Sequence, residues 1–146
     1  MDFPANLVIT STLKIGVVYK MVAPELITTS EPHYFVIVAV NNKDNYMLMS
    51  TTKYKERLEY IKKKGYNLDT LRRIEPNNNN GLTQDSFFDC NKYYTITKEK
   101  LIEKAQNKEL KLAGNFSLQE YQDLVFSIEL SEVNDIPKYL LKYEDK

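Results

Sequence analysis

The stretch of sequence that decides the fold runs from Gly81 to Leu101 and reads GLTQDSFFDCNKYYTITKEKL. A Gly-Leu turn opens it, and a strand is predicted to begin at Asp85-Ser86, where turn residues give way to aromatic ones. A second extended segment passes through Tyr94-Thr95-Ile96, and a helical turn begins at Thr97. The order of turn, strand, strand and helix indicates the end of an antiparallel sheet followed by a helical region.

Four further strands are predicted ahead of this stretch, and the first three come before Lys53. Lys14 to Val22 is rich in β-branched and aromatic residues. His33 to Val40, HYFVIVAV, is almost continuously apolar, which is typical of a strand buried on both faces. A polar turn at Asn41 to Asn45 leads into a strand from Tyr46 to Thr51, so these two strands form a hairpin.

The segment between this hairpin and Gly81 changes its pattern. Lys53 to Gly65 has apolar residues at helical spacing, and a glycine is a suitable helix stop. A short strand is predicted from Leu71 to Glu75. Pro76 and the four asparagines Asn77 to Asn80 then form a connecting loop.

Helices are predicted from the end of the Gly81 to Leu101 stretch onward. A short one runs from Thr97 through Ala105, and Ser117 with Glu120 has the spacing of a capping box ahead of a longer helix. Asp135-Ile136-Pro137 opens a last helical piece, because proline is tolerated in a first helical turn. The whole pattern predicts a mainly β protein with helices (α+β): a small antiparallel barrel, a helix inserted after its third strand, and helices at the end.

Length and charge narrow the functional classes. The 146 residues are expected to form a single domain, 1–146, with a barrel core at about 14–97 and a helical part at about 98–146. The formal net charge is zero, which argues against a protein held to nucleic acid mainly by its overall field. A local basic patch remains compatible with this balance.

Cysteine and histidine are almost absent. Cys90 is the only thiol and His33 the only histidine, so the sequence predicts no disulfide framework, no metal site and no cofactor. It also lacks a secretory leader pattern and the ~18 consecutive apolar residues of a membrane span. We therefore expect a cytoplasmic protein without membrane contacts.

Four pieces of the chain, in order, resemble the MazF/PemK/Kid-type toxins of type II toxin-antitoxin systems. They are Gly16-Val17-Val18-Tyr19, the run from Pro32 to Val38, Leu48-Met49-Ser50-Thr51, and Gly81 to Leu101. The resemblance implies an SH3-like barrel with an inserted helix and a C-terminal helix. It also implies a homodimer that acts as a sequence-selective, metal-independent endoribonuclease on single-stranded RNA and is held inactive by a cognate antitoxin protein.

The chain departs from the family at three positions. Val17 stands where the family has an acidic residue, His33 where it has an arginine, and Tyr34 where it has a proline. The helix at Lys53 to Gly65 is also longer than the usual connection. The alternative interpretation is therefore a barrel of the same fold that binds RNA or a protein and cuts nothing.

His33 is the predicted acid–base catalyst. Metal-free RNA cleavage needs a group that accepts the proton of the ribose 2′-hydroxyl and one that protonates the leaving oxygen. An imidazole suits either role, because it exists in both forms near neutral pH. The structural alternative is a polar residue at a strand edge that is hydrogen-bonded to the backbone.

Ser50 and Thr51 are predicted to orient a phosphate at the end of the third strand. Hydroxyl groups at strand ends also serve as turn or cap residues, and Thr52 is a candidate N-cap for the next helix. Asp89 is a candidate second acid–base group, whereas Cys90 is expected to be a small buried apolar residue.

Lys53 and Arg73 are predicted to hold the RNA backbone by charge. The alternative is a solvated helix face, since acidic residues are interspersed. Tyr34, with Tyr19 and Tyr54, is a candidate for stacking on unpaired bases, although tyrosines in small barrels usually belong to the core or rim.

Overall fold

A computed structural model describes residues 4–143 of the chain. These residues form four helices and seven strands, with two short 3-10 turns at Leu68–Thr70 and Lys138–Leu140. The helices and strands are, in chain order, α1 (Ala5–Thr12), β1 (Val17–Met21), β2 (His33–Val40), β3 (Asn45–Thr51), α2 (Tyr54–Lys64), β4 (Leu71–Ile74), β5 (Ser86–Asp89), β6 (Tyr94–Ile96), α3 (Lys98–Gln106), β7 (Leu110–Asn115) and α4 (Leu118–Leu130).

All the strand pairings are antiparallel, in the order β4-β5-β3-β2-β1-β7. Strand β3 has two partners along one edge: its first half pairs with β6 and its last two residues pair with β5. The predicted hairpin of β2 and β3 is present, with Phe35 opposite Met49. The α+β class with an antiparallel sheet is therefore confirmed.

The sheet is not closed, so the predicted barrel is not confirmed. Strands β4 and β7 lie at opposite ends of the pairing order. The loop after β4 occupies the edge of β7 instead: the Asn115 amide donates to the Asn79 carbonyl at 2.7 Å. Gly81 and Gly114 let the two backbones approach, because a Cβ at either position would overlap backbone atoms of the other segment.

The sheet carries a hydrophobic cluster on each face. Phe35 and Ile37 of β2 belong to a cluster that includes residues of α1 and α3. Val36 and Val38 belong to the other cluster, which includes residues of α4. The prediction that His33 to Val40 forms a strand buried on both faces is confirmed, apart from the exposed Val40 and the half-buried His33 and Tyr34 at its ends.

Several helix boundaries agree with the sequence pattern. Ser117 and Glu120 form the predicted capping box, and Gly65 ends α2 in the left-handed conformation. The predicted N-cap at Thr52 is wrong, because Lys53 is the N-cap residue and caps without a side-chain hydrogen bond. No helix in residues 4–143 is long and apolar enough to cross a membrane.

Candidate functional site

A surface cavity of about 400 Å³ lies where β2 begins and β3 ends. Five of the predicted site residues line it: His33, Tyr34, Ser50, Thr51 and Lys53. The remaining lining residues are Lys20, Thr29, Glu31, Pro32, Thr52, Thr83 and Gln84. Arg73, the sixth predicted residue, does not reach this cavity.

The antiparallel pairing of β2 with β3 explains why these residues meet. Phe35 lies opposite Met49 in that register. Continuing the register by two residues from this pair brings His33 level with Thr51, on the same face of the sheet. The first residue of β2 and the last residue of β3 are therefore neighbours although 17 intervening positions separate them in sequence.

The ring of His33 is held by the backbone of Glu31, two residues earlier in the chain. Its Nδ1 lies 3.0 Å from the carbonyl oxygen of Glu31. Because a carbonyl only accepts, this contact assigns the proton of the neutral ring to Nδ1 and leaves the lone pair on Nε2. The backbone contact predicted as the structural alternative thus exists, and it also prepares the ring for proton exchange through Nε2.

The two hydroxyl residues at the end of β3 differ in their surroundings. Ser50 is 5 % exposed and lies opposite the core residue Phe88. Thr51 is half-buried, and its Oγ1 accepts a hydrogen bond from the Lys53 amide at 3.1 Å. A hydroxyl that accepts one bond still has its proton to donate. Thr51 is therefore better placed than Ser50 to donate to a phosphate oxygen.

Lysines supply the positive charge of the cavity. Lys20 and Lys53 are exposed and line the cavity. Glu31 supplies the single carboxylate among the lining residues of the cavity. The Lys20 ammonium also sits 5.3 Å from the centre of the Tyr34 ring, so it already occupies a position over that ring. A base stacking on Tyr34 would have to share the ring with this cation.

Arg73 lies two strands away on β4 and is ion-paired. Its guanidinium donates to Asp85 at 2.7 Å and lies 3.6 Å from Glu75. The hydrogen bond to Asp85 and the charge of that carboxylate raise the pKa of Arg73. The guanidinium is exposed but already shared with two acidic partners.

Asp89 does not have the free carboxylate that an acid–base catalyst needs. Its side chain is 8 % exposed, and Oδ2 accepts from Arg57 Nε at 2.8 Å. Its other oxygen accepts from the backbone and side-chain nitrogens of Asn91. These contacts give Asp89 a structural role, and its predicted acid–base role stays a prediction. Cys90 is buried as predicted, and burial raises the pKa of its thiol.

Sequence reasoning missed two charged residues of the cavity. Lys20 comes from β1, where it pairs with Tyr34. Glu31 is in the loop before β2, and its amide bonds to Thr29 Oγ1 at 3.0 Å. No local pattern predicts Glu31, because it lies at a bend before β2 begins.

A comparison of the sequence with protein-family models and with curated proteins finds no match. Within residues 4–143, no group of three or more His, Cys, Asp or Glu side chains lies close enough together to hold a metal ion. The residues of the cavity therefore carry the functional assignment.

Proposed function

We propose that the protein is a metal-independent endoribonuclease that cleaves single-stranded RNA at the His33 cavity. The observation that carries this proposal is the convergence of His33, Thr51 and Lys53 on one cavity, with Nδ1 of His33 tied to a carbonyl. The resemblance to MazF/PemK-type toxins supports the same activity. By that resemblance the sheet is an open relative of the SH3-like barrel, and the protein is a sequence-selective cytoplasmic homodimer inhibited by an antitoxin.

The reaction is a transfer of the phosphoryl group to the neighbouring 2′-oxygen. The Glu31 carboxylate accepts the 2′-hydroxyl proton as the O2′–P bond forms. Nε2–H of the His33 imidazolium protonates the 5′-oxygen as the P–O5′ bond breaks. The products are a 2′,3′-cyclic phosphate and a 5′-hydroxyl, and His33 is left as the Nδ1–H tautomer that the Glu31 carbonyl holds.

The negative charge that builds up on the phosphate meets three donors. Lys20 and Lys53 supply ammonium groups, and the Thr51 hydroxyl supplies a neutral donor. Donors placed where charge develops stabilise the transition state more than the bound substrate. Thr51 thus takes the phosphate-orienting role that the sequence assigned to Ser50 and Thr51 together.

The test compares wild-type protein with His33→Ala on single-stranded RNA in the presence of a chelator. Wild type is expected to give discrete fragments with cyclic phosphate ends, and induced expression in bacteria is expected to arrest growth. His33→Ala should lose both effects while still binding RNA, which also excludes a contaminating nuclease. Soluble, folded wild type that leaves RNA intact and growth normal would overturn the proposal.

A second candidate is an RNA-binding protein of the same fold that does not cleave. The lining of the cavity favours it, because its cations are two lysines and no arginine among the described residues. Lysine binds phosphate as a point charge, whereas arginine grips it with a planar fork. Salt-sensitive RNA binding by both wild type and His33→Ala, without fragments from either, would favour this candidate.

A further inference from the structure

Two aromatic side chains, the exposed Tyr54 and the half-buried Phe87, pack together beside the His33 cavity. The rings of Tyr54 and Phe87 have centroids 4.7 Å apart and are tilted by 45°. Tyr54 is 42 % exposed, so part of its ring is open to solvent. We call these two residues the aromatic pair.

The position of the aromatic pair follows from the sheet register and the start of α2. Phe87 lies directly opposite Thr51, and Tyr54 directly follows Lys53. Both Thr51 and Lys53 line the cavity. Residues directly opposite each other in an antiparallel pair lie about 4.5–5.5 Å apart and on the same face. The aromatic pair is therefore one strand spacing from the hydroxyl proposed to hold the phosphate.

We propose that the aromatic pair is a stacking site for one unpaired nucleobase of the RNA whose phosphate occupies the cavity. This inference rests on the proposed function and adds a base-binding subsite to it. Aromatic rings bind unpaired bases through their faces, whatever the base, and duplex bases are not available for such contact. The pair thus gives a physical reason for a preference for single strands.

The surroundings of the pair favour a nucleotide as its occupant. On one side of the aromatic pair is Thr51 with the lysines of the cavity. On the other side is Arg73, which lies on β4 directly opposite Phe87. A nucleotide has the matching arrangement, because its base lies between two phosphates. The phosphates would face the cations and the base would face the aromatic rings. Arg73 would contact the second phosphate only by exchanging one of its acidic partners, Asp85 or Glu75.

The aromatic pair is not the sole anchor of α2, which makes it testable. Arg57 of the same helix is bonded to Asp89, and Ile61 is completely buried. These contacts are expected to keep the helix in place when one ring is removed. Tyr60 provides a matched control, since it is on the same helix and 43 % exposed but borders a different cavity.

The experiment measures binding of a 2′-O-methyl single-stranded oligonucleotide, which cannot be cleaved. An abasic residue is placed at each position in turn. One position is expected to raise the Kd of wild type about five- to tenfold. Tyr54→Leu and Phe87→Leu should raise the Kd for the intact oligonucleotide by the same factor. In these variants the abasic residue should cause no further rise in Kd, because the ring and the base form one interaction in a double-mutant cycle. Tyr54→Phe and Tyr60→Leu should bind as wild type does.

The outcomes separate this inference from the proposed function. If wild type binds but no abasic position weakens binding, the stacking site is overturned without any variant. The stacking site is also overturned if folded Tyr54→Leu and Phe87→Leu bind as wild type does. If wild type binds no single-stranded oligonucleotide and cleaves no RNA, the proposed function fails and the inference falls with it.

Discussion

Arg57 on α2 and Asp89 on β5 form the polar contact that fastens the inserted helix to the sheet. The guanidinium Nε donates to Asp89 Oδ2 at 2.8 Å, and the carboxylate is 8 % exposed. Tyr54 packs on Phe87 one turn earlier along the helix. These two contacts place Lys53, which precedes the helix, at the edge of the cavity. The position of α2 and the charge of the cavity are therefore linked.

Asp89→Asn is expected to loosen α2. The substitution removes a charged hydrogen bond to Arg57 from a largely buried site, which costs about 1.5–3 kcal/mol. Urea unfolding should show this loss, and hydrogen exchange of the α2 amides should accelerate. The control is Asp85→Asn, which removes the exposed ion pair with Arg73 and should cost at most about 1 kcal/mol. Equal losses in the two variants would contradict the anchoring role.

Glu31→Gln is expected to slow RNA cleavage without weakening binding. The amide cannot accept the 2′-hydroxyl proton, so the rate should fall by about 10²- to 10⁴-fold. The Glu31 carbonyl that orients His33 is a backbone group and remains in place. Single-turnover cleavage and oligonucleotide binding measure the two quantities separately. A variant that cleaves at the wild-type rate would remove Glu31 from the mechanism and leave His33 to be tested by itself.

The sequence predicted elements whose signals are local. Strand β2 is continuously apolar, and it forms the centre of the sheet with a cluster on each face. The capping box at Ser117 predicted the start of α4. The segment Ala5–Thr12 was not predicted as a helix, because its β-branched residues disfavour one. Burial of Ile9 against the sheet overrides that preference.

Strand β7 was missed for a related reason. Leu110–Asn115 is short, carries Lys111, and contains a glycine, so it gives a weak strand signal. Its pairing with β1 joins segments almost a hundred residues apart, which no local pattern reports. The closed barrel was predicted without this strand. The observed sheet ends at β7, whose backbone instead meets the asparagine loop.

The candidate site could be predicted only in part. His33 and Thr51 could be predicted, because strand ends can be located from the sequence and a hairpin brings the two residues together. Lys20 could not be predicted, since it reaches the cavity from β1 through the pairing of that strand with β2, where Lys20 lies opposite Tyr34. Arg73 was assigned to the site by its charge, whereas its place on β4 puts it two strands away from β3, where it pairs with Asp85.

Glu25→Gln is expected to reduce the acid sensitivity of folding. Burial would raise the pKa of Glu25, but its hydrogen bonds and the charge of Lys104 outweigh burial and lower the pKa below 4.5. A carboxylate whose pKa is lower in the folded state stabilises the protein above its unfolded pKa. That contribution is lost as the pH falls through the folded pKa.

The effect of Glu25 should be small, because its side chain is 39 % exposed. We expect a contribution of less than about 1 kcal/mol. The free energy of unfolding in urea, measured from neutral pH to below 4.5, should fall less in Glu25→Gln than in wild type. If the two curves fall in parallel, the pair with Lys104 makes no contribution to acid stability.

Gly81→Ala is expected to separate the asparagine loop from β7. Gly81 has a φ of +73°, and its Cβ would overlap the carbonyl oxygen of Ala113. Gly65 has a similar φ of +76° but nothing within 4 Å of a Cβ, so Gly65→Ala measures the backbone strain alone. That strain costs about 1–2 kcal/mol. The overlap in Gly81→Ala should add about 1–3 kcal/mol. Denaturant unfolding of the two variants gives the difference, and equal losses would mean that the loop yields freely and does not hold the edge of β7.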